Sequence, residues 1–516
     1  MVERTVRRVS ILALMACLLI VPFWSAIATV AGFAAPDGGA RAGDLARHQD
    51  SDDDDADDDD DDDDDDPTVD RFRADQAIVR LAPGADVAAF NSRHGASVIA
   101  DIASRGIYLL RLPDSVDEED LADTLEDDPA AVWAELNFTS QAPEGRPGYF
   151  FTSGGADAGA YNGQYASDLL GLPAAHDCAR GDGVVVAVID TGIDAAHPVF
   201  AGRVLATGWN VFEQNGNVAD VGNGIDDDGD GFVDEMVGHG THVAGTIVLT
   251  APGASILPVK ALDSDGGGDA FFLAAAIYYA IDHGARVINL SLGSTHDAIV
   301  TEEAVADAAG RGIIVTAAAG NLNRFEPEEY PASGGVALGV AATDAQDLKS
   351  AFSNFHPALA VSAPGTGIAS TVPGGGYATW SGTSMATPFV SGAAALLLSQ
   401  NPGWSAAEVN AQLQATAVDV DGANPSFVGL LGAGRLDVVA AVDCPTVAAA
   451  DEVASPTAEP TATLAASPTA EPTATIEPTP TIEPTTPPEP TATVTEEADD
   501  DDDESDDSED SEESDD

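Results

Sequence analysis

Five short runs of almost uninterrupted aliphatic residues constrain the fold of this chain more than any other feature. The runs cover residues 183–189, 256–259, 287–290, 313–316 and 336–340. Strands that are apolar on both faces are typical of a parallel sheet covered on both sides, because a half-exposed strand alternates apolar and polar residues. Helical segments stand between the runs, at 270–282 and 302–311. The alternation predicts a doubly wound α/β domain with a mostly parallel sheet, helices on both faces, and ligands bound beyond the carboxyl ends of the strands.

A smaller pattern precedes this domain. Strands are predicted at 76–81, 96–103, 107–112 and 132–136, and helices at 86–94 and 118–126. The order βαββαβ predicts a small ferredoxin-like α+β sandwich. We therefore expect two folded domains, the first over 68–142 and the second over 143–446.

The first residues predict an export signal. Three arginines precede an uncharged stretch from residue 9 to 36, and Ala26 and Ala28 offer small residues at the spacing of a cleavage site. We expect a signal peptide over 1–35 and an extracellular or cell-surface protein. The alternative is an uncleaved membrane anchor, since the stretch is long enough to span a bilayer.

The chain is strongly acidic, with 88 Asp and Glu residues against 20 Lys and Arg residues. Much of the excess lies in an aspartate run at 52–66 and an acidic stretch at 496–516, and a repetitive Pro/Thr-rich segment fills 447–495. Such compositions bury no core, so we expect a disordered linker over 36–67, an extended stalk and a disordered tail. The charge excludes nucleic acid as a partner, because phosphate binding needs clustered Lys and Arg. The acidity fits a saline or cation-rich setting as well as a GC-rich coding bias.

Three separate segments carry an acid, a base and a nucleophile. They read Val-Ala-Val-Ile-Asp-Thr-Gly at 186–192, Gly-His-Gly-Thr-His-Val-Ala-Gly at 238–245 and Gly-Thr-Ser-Met-Ala-Thr-Pro at 382–388. Amide hydrolysis needs a serine activated by a base whose tautomer is fixed by a buried acid. We expect Ser384 to attack, His239 to take its proton and Asp190 to orient His239.

These segments, in the order Asp, His, Ser, resemble the subtilisin family of serine peptidases. The resemblance implies a serine endopeptidase with an acyl-enzyme intermediate, His239 as base and His242 in a structural role. A zinc site on the two histidines is disfavoured, because no Glu stands where a zinc-peptidase helix needs one. The resemblance also implies that Asn321, in Ala-Ala-Ala-Gly-Asn, donates its amide to the oxyanion beside the Ser384 backbone N–H.

The same resemblance implies how a polypeptide substrate binds. The substrate adds as a β-strand, and main-chain hydrogen bonds hold it. The implied substrate-binding residues are Ser291, Leu292 and Gly293 on one side and Gly266, Gly267 and Gly268 on the other. A plain flexible turn is the alternative for the last three glycines. Carboxylates within 324–330 favour a basic residue before the scissile bond if they face the pocket.

The small first domain resembles the inhibitory propeptide of this family, whose sheet packs on the enzyme and whose tail lies in the cleft. We therefore expect an inactive precursor that is cut between residues 138 and 163. Its expected partners are polypeptide substrates and its own propeptide, and a membrane only if the N-terminal segment stays uncleaved. We expect a monomer.

An acidic insertion at 226–231 reads Asp-Asp-Asp-Gly-Asp-Gly and begins like an oxygen-rich calcium loop. The predicted ligands of a structural Ca²⁺ ion are Asp226, Asp228, Asp230 and Asp234. Val237 stands where an EF-hand has its bidentate Glu, so the segment is not an EF-hand; it resembles an acidic loop that precedes the histidine segment in bacterial subtilases. A bare acidic turn is the alternative.

Two cysteines, Cys178 and Cys444, flank the larger domain. In an exported protein we expect them to form a disulfide, and two separate buried thiols are the alternative.

A rival function of another class is a cell-surface protein that binds cations or mineral through its poly-Asp segments and uses the peptidase fold as a scaffold. The complete set of Asp190, His239, Ser384 and Asn321 argues against a loss of catalysis. A processing enzyme with one dedicated protein substrate is a further alternative.

Overall fold

The computed structural model describes residues 72–113, 118–145, 152–326 and 328–444. The predicted signal peptide, aspartate linker, stalk and acidic tail lie outside the described residues. Among the helices of the described part of the chain, none is both long enough and apolar enough to cross a membrane.

The first domain is built mainly from strands and helices in the predicted order. They are β1 (Phe72–Leu81), α1 (Val87–His94), β2 (Ser97–Ile102), β3 (Ile107–Arg111), α2 (Glu118–Glu126) and β4 (Ala131–Gln141). The strands pair antiparallel in the order β2–β3–β1–β4. This is the arrangement of a ferredoxin-like sandwich, and β4 continues several residues beyond its predicted end.

Local sequence signals set the bounds of α1. The Asp86 carboxylate accepts hydrogen bonds from the backbone N–H groups of Ala88 and Ala89, and Gly95 ends the helix in a left-handed conformation. Phe90 is fully buried in the apolar cluster of this domain. The helix is therefore held by its caps at both ends and by packing in its middle.

The second domain alternates strands and helices over most of its length. Its elements are β5 (Thr152–Ala156), α3 (Ala158–Asn162), α4 (Tyr165–Leu169), α5 (Leu172–Ala175), β6 (Val185–Asp190), β7 (Trp209–Asn210), α6 (His239–Thr250), β8 (Ser255–Lys260), β9 (Gly267–Asp269), α7 (Ala270–Asp282), β10 (Val287–Leu290), α8 (Ile299–Gly310), β11 (Ile314–Ala318), β12 (Leu338–Thr343), β13 (Val361–Pro364), β14 (Ile368–Val372), β15 (Gly376–Trp380), α9 (Thr383–Gln400), α10 (Ala406–Thr416) and α11 (Val438–Ala441).

Seven of these strands form one parallel sheet in the order β13–β12–β11–β10–β6–β8–β7. The chain places β8 on one side of β6 and β10 on the other, so the strand order reverses at β6. In open α/β sheets the binding crevice lies at such a reversal, outside the carboxyl ends of the strands. The predicted doubly wound α/β fold is confirmed, and its crevice opens where β6 ends at Asp190.

Helices α6 and α9 pack against each other, α7 packs against α8, and each pair contacts the sheet. Helix α9 is buried without interruption from Thr383 to Leu398. A helix that is buried on all sides belongs to the interior of a large domain. The residue that begins its first turn is therefore held rigidly within the core.

The structure differs from the sequence-based prediction at two places. The sequence pattern at 167–176 predicts one short helix, but the structure has two, α4 and α5, because Gly171 between them has a φ of 68°, which glycine adopts without steric cost. Strands β14, β15 and β5 form a small antiparallel sheet, with β15 in the middle, that was not predicted. Strand β15 has no aliphatic run and is only half-buried, so its pattern gave no strand signal.

Cys178 and Cys444 are joined by a disulfide in the structure, with their Cα atoms 5.7 Å apart. Cys178 follows α5, and Cys444 follows α11, which packs against α5. The bond therefore ties the beginning of the second domain to its end.

Candidate active site

Asp190 and His239 meet in the crevice of the parallel sheet. Asp190 ends β6, and His239 begins α6. His239 Nδ1 lies 2.7 Å from Asp190 Oδ1, and both side chains are buried. This contact holds a proton on Nδ1 and leaves Nε2 facing the cleft, which is the tautomer that a general base needs.

A close backbone approach makes this contact possible. A Cβ on Gly240 would lie 2.2 Å from the Gly192 carbonyl oxygen, so only glycine lets the first turn of α6 rest on the loop after β6. The buried Asp220 carboxylate joins the same two elements, since it accepts hydrogen bonds from Thr191 Oγ1 and from the Thr241 backbone N–H. Sequence reasoning missed Asp220, because a single Asp in a polar loop carries no motif.

Ser384 lies in the first turn of α9. Pro388, four residues further on, has no N–H to donate to the Ser384 carbonyl oxygen. That oxygen accepts a hydrogen bond of 2.9 Å from Ser291 Oγ instead. The Ser291 side chain therefore positions the turn of the nucleophile, and the adjacent Leu292 is fully buried. The roles of both residues toward a substrate stay predictions.

Asn321 follows β11 and is fully buried. Its Oδ1 accepts hydrogen bonds of 3.0 and 2.9 Å from the backbone N–H and the hydroxyl of Thr383. The Nδ2 group is therefore turned into the cleft, toward the point that the Ser384 backbone N–H also faces. Two converging donors are what an oxyanion hole requires.

The carboxylate of Glu144 occupies the point where these groups converge. Its Oε1 accepts hydrogen bonds from Asn321 Nδ2 at 2.9 Å and from the Ser384 backbone N–H at 3.4 Å. Its Oε2 accepts a hydrogen bond of 2.5 Å from the Ser384 hydroxyl and lies 3.2 Å from His239 Nε2. A Cβ on Gly382 would lie 1.7 Å from Glu144 Oε1, so glycine leaves the space that the carboxylate fills. Both N–H donors therefore converge on one oxygen, Glu144 Oε1.

The chain that leads to Glu144 lies in the cleft as a strand. Strand β4 pairs antiparallel with β9, and Gln141 exchanges backbone hydrogen bonds of 2.9 and 3.0 Å with Gly293. The Ala142 N–H donates to the Gly266 carbonyl oxygen. The glycines that the sequence predicted to bind substrate thus hold a peptide strand, which comes from the first domain of the same chain.

Burial and charge together set the ionisation of the site. Burial lowers the pKa of His239, but the carboxylates of Asp190 and Glu144 outweigh it and raise this pKa to about 10. Burial raises the pKa of Glu144, while the charge and hydrogen bond of His239, with two further hydrogen bonds, bring it below its ordinary value. The site therefore holds an imidazolium between two carboxylates while Glu144 is in place.

His242 lies outside this network of hydrogen bonds. Its Nε2 is 3.1 Å from the Ile368 carbonyl oxygen, and its ring stacks on Trp380 with the ring centres 5.0 Å apart. Burial and the charge of His239 lower the pKa of His242 to about 3, so this imidazole is neutral. Its contacts fit the structural role that the resemblance implies.

Two groups of carboxylates near the acidic insertion are arranged so that they fit a cation. Each group has oxygens within 4.8 Å of one another: Asp226 with Asp228 and Asp265, and Asp228 with Asp230 and Glu235. Asp265 is fully buried, and its Oδ1 has no hydrogen-bond partner among the described residues. A buried carboxylate oxygen without a donor is costly unless a cation satisfies it. The oxygen-only donor set fits Ca²⁺.

Asp234 lies outside both of these groups. Its carboxylate accepts hydrogen bonds from the backbone N–H groups of Asn223 and Gly224, which closes the base of the acidic loop. The sequence pattern assigned Asp234 as a ligand because it lies two residues past Phe232, the expected backbone ligand. It missed Asp265, because that residue comes from the segment before β9 and joins the loop only in the folded chain.

Sequence reasoning also missed Glu144. The segment Ala-Pro-Glu-Gly contains nothing that distinguishes this residue from a surface carboxylate. The available signal was its position directly after the last strand of the first domain, where the tail was expected to enter the cleft.

Two family models match the chain. A subtilase family model matches residues 181–434, and a model of the fervidolysin N-terminal prodomain matches residues 59–137. The first range holds Asp190, His239, Asn321 and Ser384, and the second covers most of the first domain.

Individual relatives agree with these models. The chain is 42% identical over 259 residues to thermitase from Thermoactinomyces vulgaris, an alignment that covers 50% of this chain and 90% of thermitase. It is 38% identical over 274 residues to subtilisin BL from Lederbergia lenta, which covers 51% of this chain and 93% of that protein.

A solved structure resembles both domains together. The crystal structure of fervidolysin from Fervidobacterium pennivorans, a keratinolytic enzyme related to subtilisin, superposes with a TM-score of 0.57 at 25% sequence identity. The match covers 73% of this chain and 62% of fervidolysin, which is less than two thirds of that protein. This chain belongs to the subtilase family of serine peptidases and carries a fervidolysin-like N-terminal prodomain.

Proposed function

We propose that the chain is the precursor of a secreted serine endopeptidase that hydrolyses peptide bonds through Asp190, His239 and Ser384. The observation that carries this proposal is the convergence of the Ser384 hydroxyl, His239 Nε2 and two oxyanion donors on one carboxylate. The same groups are arranged to act on a peptide carbonyl once Glu144 has left. The predicted signal peptide supports export.

In the proposed mechanism His239 Nε2 takes the proton of the Ser384 hydroxyl as its oxygen attacks the carbonyl carbon, while Asp190 stabilises the imidazolium. The negative charge that develops on the carbonyl oxygen is stabilised by Asn321 Nδ2 and the Ser384 N–H. His239 then protonates the leaving amine, which leaves an ester on Ser384. Water, deprotonated by His239, releases the acid and restores the hydroxyl.

A polypeptide substrate is proposed to bind as the tail of the first domain does, between Gly266–Gly268 and Gly293. Main-chain hydrogen bonds of this kind are independent of sequence, so they supply affinity, and the side-chain pockets supply selectivity.

The first domain is proposed to inhibit the enzyme until it is removed. The Glu135 carboxylate accepts hydrogen bonds of 2.8 Å from the backbone N–H groups of Ile299 and Val300, so the first domain caps the N-terminus of α8. Arg80 pairs with Glu303 at 2.7 Å across the same interface. We place the maturation cut between residues 145 and 152, because β5 pairs with β15 and so remains with the second domain.

We further propose that Asp226, Asp228 and Asp265 hold a structural Ca²⁺ ion, with Asp230 and Glu235 beside them. The charge of the ion neutralises carboxylates that are otherwise held together by the fold. Asp265 directly precedes Gly266, so this site supports the edge of the substrate cleft.

The experiment that tests the proposal compares the wild-type chain with its Ser384→Ala variant. We expect the wild type to lose its first domain, hydrolyse casein and react with a fluorophosphonate at Ser384, whereas the variant stays full length and unlabelled. N-terminal sequencing locates the cut. Processing that is identical in both proteins, or casein hydrolysis by the variant, would contradict the proposal.

A further inference from the structure

Helix α6 begins with the proposed base, His239, and its N-cap residue, Gly238, has no side chain to cap it. The first backbone N–H groups of a helix have no partner within the helix, so another group must accept their hydrogen bonds. The Gly238 N–H donates to Asp220 Oδ1 at 3.0 Å, and the Thr241 N–H donates to Asp220 Oδ2 at 3.1 Å. Asp220, which is only 2% exposed, therefore caps α6 from a separate loop.

Two threonine hydroxyls complete the surroundings of the Asp220 carboxylate. The Thr191 hydroxyl donates to Oδ1 at 3.0 Å, and the Thr241 hydroxyl donates to Oδ2 at 2.5 Å. Thr191 Oγ1 in turn accepts a hydrogen bond of 3.0 Å from the Gly240 N–H. Thr241 Oγ1 accepts one of 3.0 Å from the Asp194 N–H. All four groups that bond to Asp220 are donors, so a carboxylate fits this position and an amide does not.

These hydrogen bonds join the segment of the proposed acid to that of the proposed base. Thr191 directly follows Asp190, and Gly238 directly precedes His239. One carboxylate thus holds the backbone next to both residues. The contact of 2.7 Å between Asp190 Oδ1 and His239 Nδ1 is therefore set by two pieces of backbone that are fixed to the same side chain.

Asp220 also separates this contact from the acidic insertion. Residues 221–237, which contain the insertion, lie between Asp220 and Gly238, so the hydrogen bond between these two residues joins the ends of the segment. The segment before Asp220 is held as well, because the Ile193 N–H donates to the Val218 carbonyl oxygen at 2.8 Å. The position of Asp220 against the loop after β6 is therefore set by residues outside the insertion.

We propose that Asp220 is a positioning residue that keeps Asp190 and His239 in the arrangement needed to take the proton of Ser384. It acts through the backbone and the threonine hydroxyls that it binds. A displacement of about 1 Å in a catalytic group lowers the rate by up to ~100-fold, even when its cause lies away from the reacting atoms. The inference rests on the proposed peptidase function and adds a residue to its machinery.

The test measures kcat and KM of the processed enzyme on one fluorogenic peptide, with the active sites counted by fluorophosphonate labelling. In Asp220→Asn, the new NH2 group faces two donors on one side of the carboxylate site, so both of these hydrogen bonds are lost. We expect kcat to fall roughly 10- to 100-fold while KM stays within about twofold. This division between kcat and KM is the mark of a positioning role, because a loss of folded protein lowers only the number of active sites.

Two replacements of Thr191 provide the rescue experiment. Thr191→Val removes the hydroxyl that links the Gly240 N–H to Asp220, and we expect kcat to fall about 10-fold. Thr191→Ser keeps the hydroxyl and should keep kcat within about threefold of the wild type. Asp437→Asn is the matched control. Asp437 caps α11 by accepting a hydrogen bond of 3.0 Å from the Ala440 N–H, and its replacement should leave kcat unchanged.

An unchanged kcat in Asp220→Asn overturns the inference, and so does an equal loss in Asp437→Asn. An equal loss in Thr191→Ser and Thr191→Val overturns the role of the hydroxyl link. If Asp220→Asn does not fold or is not processed, the two Thr191 variants decide the matter by the same criteria. A wild type that neither cleaves the peptide nor reacts with the fluorophosphonate overturns the proposed function itself, whereas an active wild type with an equally active Asp220→Asn overturns only the role of Asp220.

Discussion

The Ser384 hydroxyl and the Glu144 carboxylate, which lie 240 residues apart in the sequence, form a hydrogen bond of 2.5 Å. Glu144 belongs to the turn Pro143–Gly145 that leads out of the first domain, so that domain reaches the nucleophile itself. The carboxylate also contacts Asn321 Nδ2, the Ser384 backbone N–H and His239 Nε2. Under the proposed function, this side chain blocks the catalytic centre of the precursor, and it contains no bond to cleave.

Replacement of Glu144 should release this block. We expect Glu144→Ala precursor to react with a fluorophosphonate roughly 10- to 100-fold faster than the wild-type precursor, because each hydrogen bond to a charged group contributes about 1.5–3 kcal/mol. Labelling is measured within the first minutes, before processing is complete. Glu126→Gln, which alters an exposed carboxylate on α2, is the control and should label like the wild type. Equal rates for Glu144→Ala and wild type would contradict the block.

The interaction of Glu144 with His239 should weaken at both low and high pH. The pKa of Glu144 is lowered in the precursor. The ionised carboxylate therefore stabilises the folded precursor above pH 4.5, the ordinary pKa of Glu, and this stabilisation is lost as the pH falls through the lowered pKa. The pKa of His239 is raised from 6.5 to about 10. The protonated imidazole therefore stabilises the folded precursor fully below pH 6.5, and this stabilisation is lost as the pH rises toward 10. In a Ser384→Ala background, Glu144→Gln should lower the melting temperature most between about pH 5 and 6. A pH-independent difference would contradict this.

Loss of the Asn321 amide should slow the chemical step and leave binding almost unchanged. For Asn321→Ala we expect kcat to fall ~100- to 1000-fold with a similar KM, which is the range measured for such a donor in subtilisin, a relative of this chain. Steady-state kinetics on one peptide check both values. Asn162→Ala, at an exposed position on α3, should retain full kcat. A parallel rise in KM would assign Asn321 to substrate binding instead.

Calcium should stabilise the wild-type chain through Asp265. We expect millimolar Ca²⁺ added after EDTA to raise the melting temperature by several degrees, since a ligand at about 100 times its Kd contributes about 2.7 kcal/mol. Asp265→Asn should abolish this rise. Asp234→Asn should lower the melting temperature through the loop hydrogen bonds but keep the rise. An undiminished calcium effect in Asp265→Asn would remove it from the ligand set.

Removal of the disulfide should destabilise the second domain. The bond closes a loop of 266 residues, for which the loop-entropy model gives about 5–6 kcal/mol. We expect Cys178→Ser combined with Cys444→Ser to unfold at a clearly lower urea concentration in the Ser384→Ala background. Dithiothreitol should shift the parent protein toward the double variant and leave the double variant unchanged. Coincident unfolding curves would show that the bond adds no stability.

The doubly wound sheet of the second domain followed from the sequence because it depends on the period and composition of its strands and helices. An aliphatic run such as 287–290 is compatible with a strand buried on both faces and with little else, and the structure has β10 at these residues. The segments around Asp190, His239 and Ser384 were equally informative, since their order and spacing are specific.

The surroundings of Glu144 and Asp265 were decided only by the tertiary structure. Each is an ordinary acidic residue in a chain with 88 of them, and no local pattern separates it from its neighbours. A carboxylate acquires a role from the groups that surround it: two N–H donors and the His239 imidazole for Glu144, and other carboxylates for Asp265. Those groups come from distant segments of the chain, so only folding brings them together.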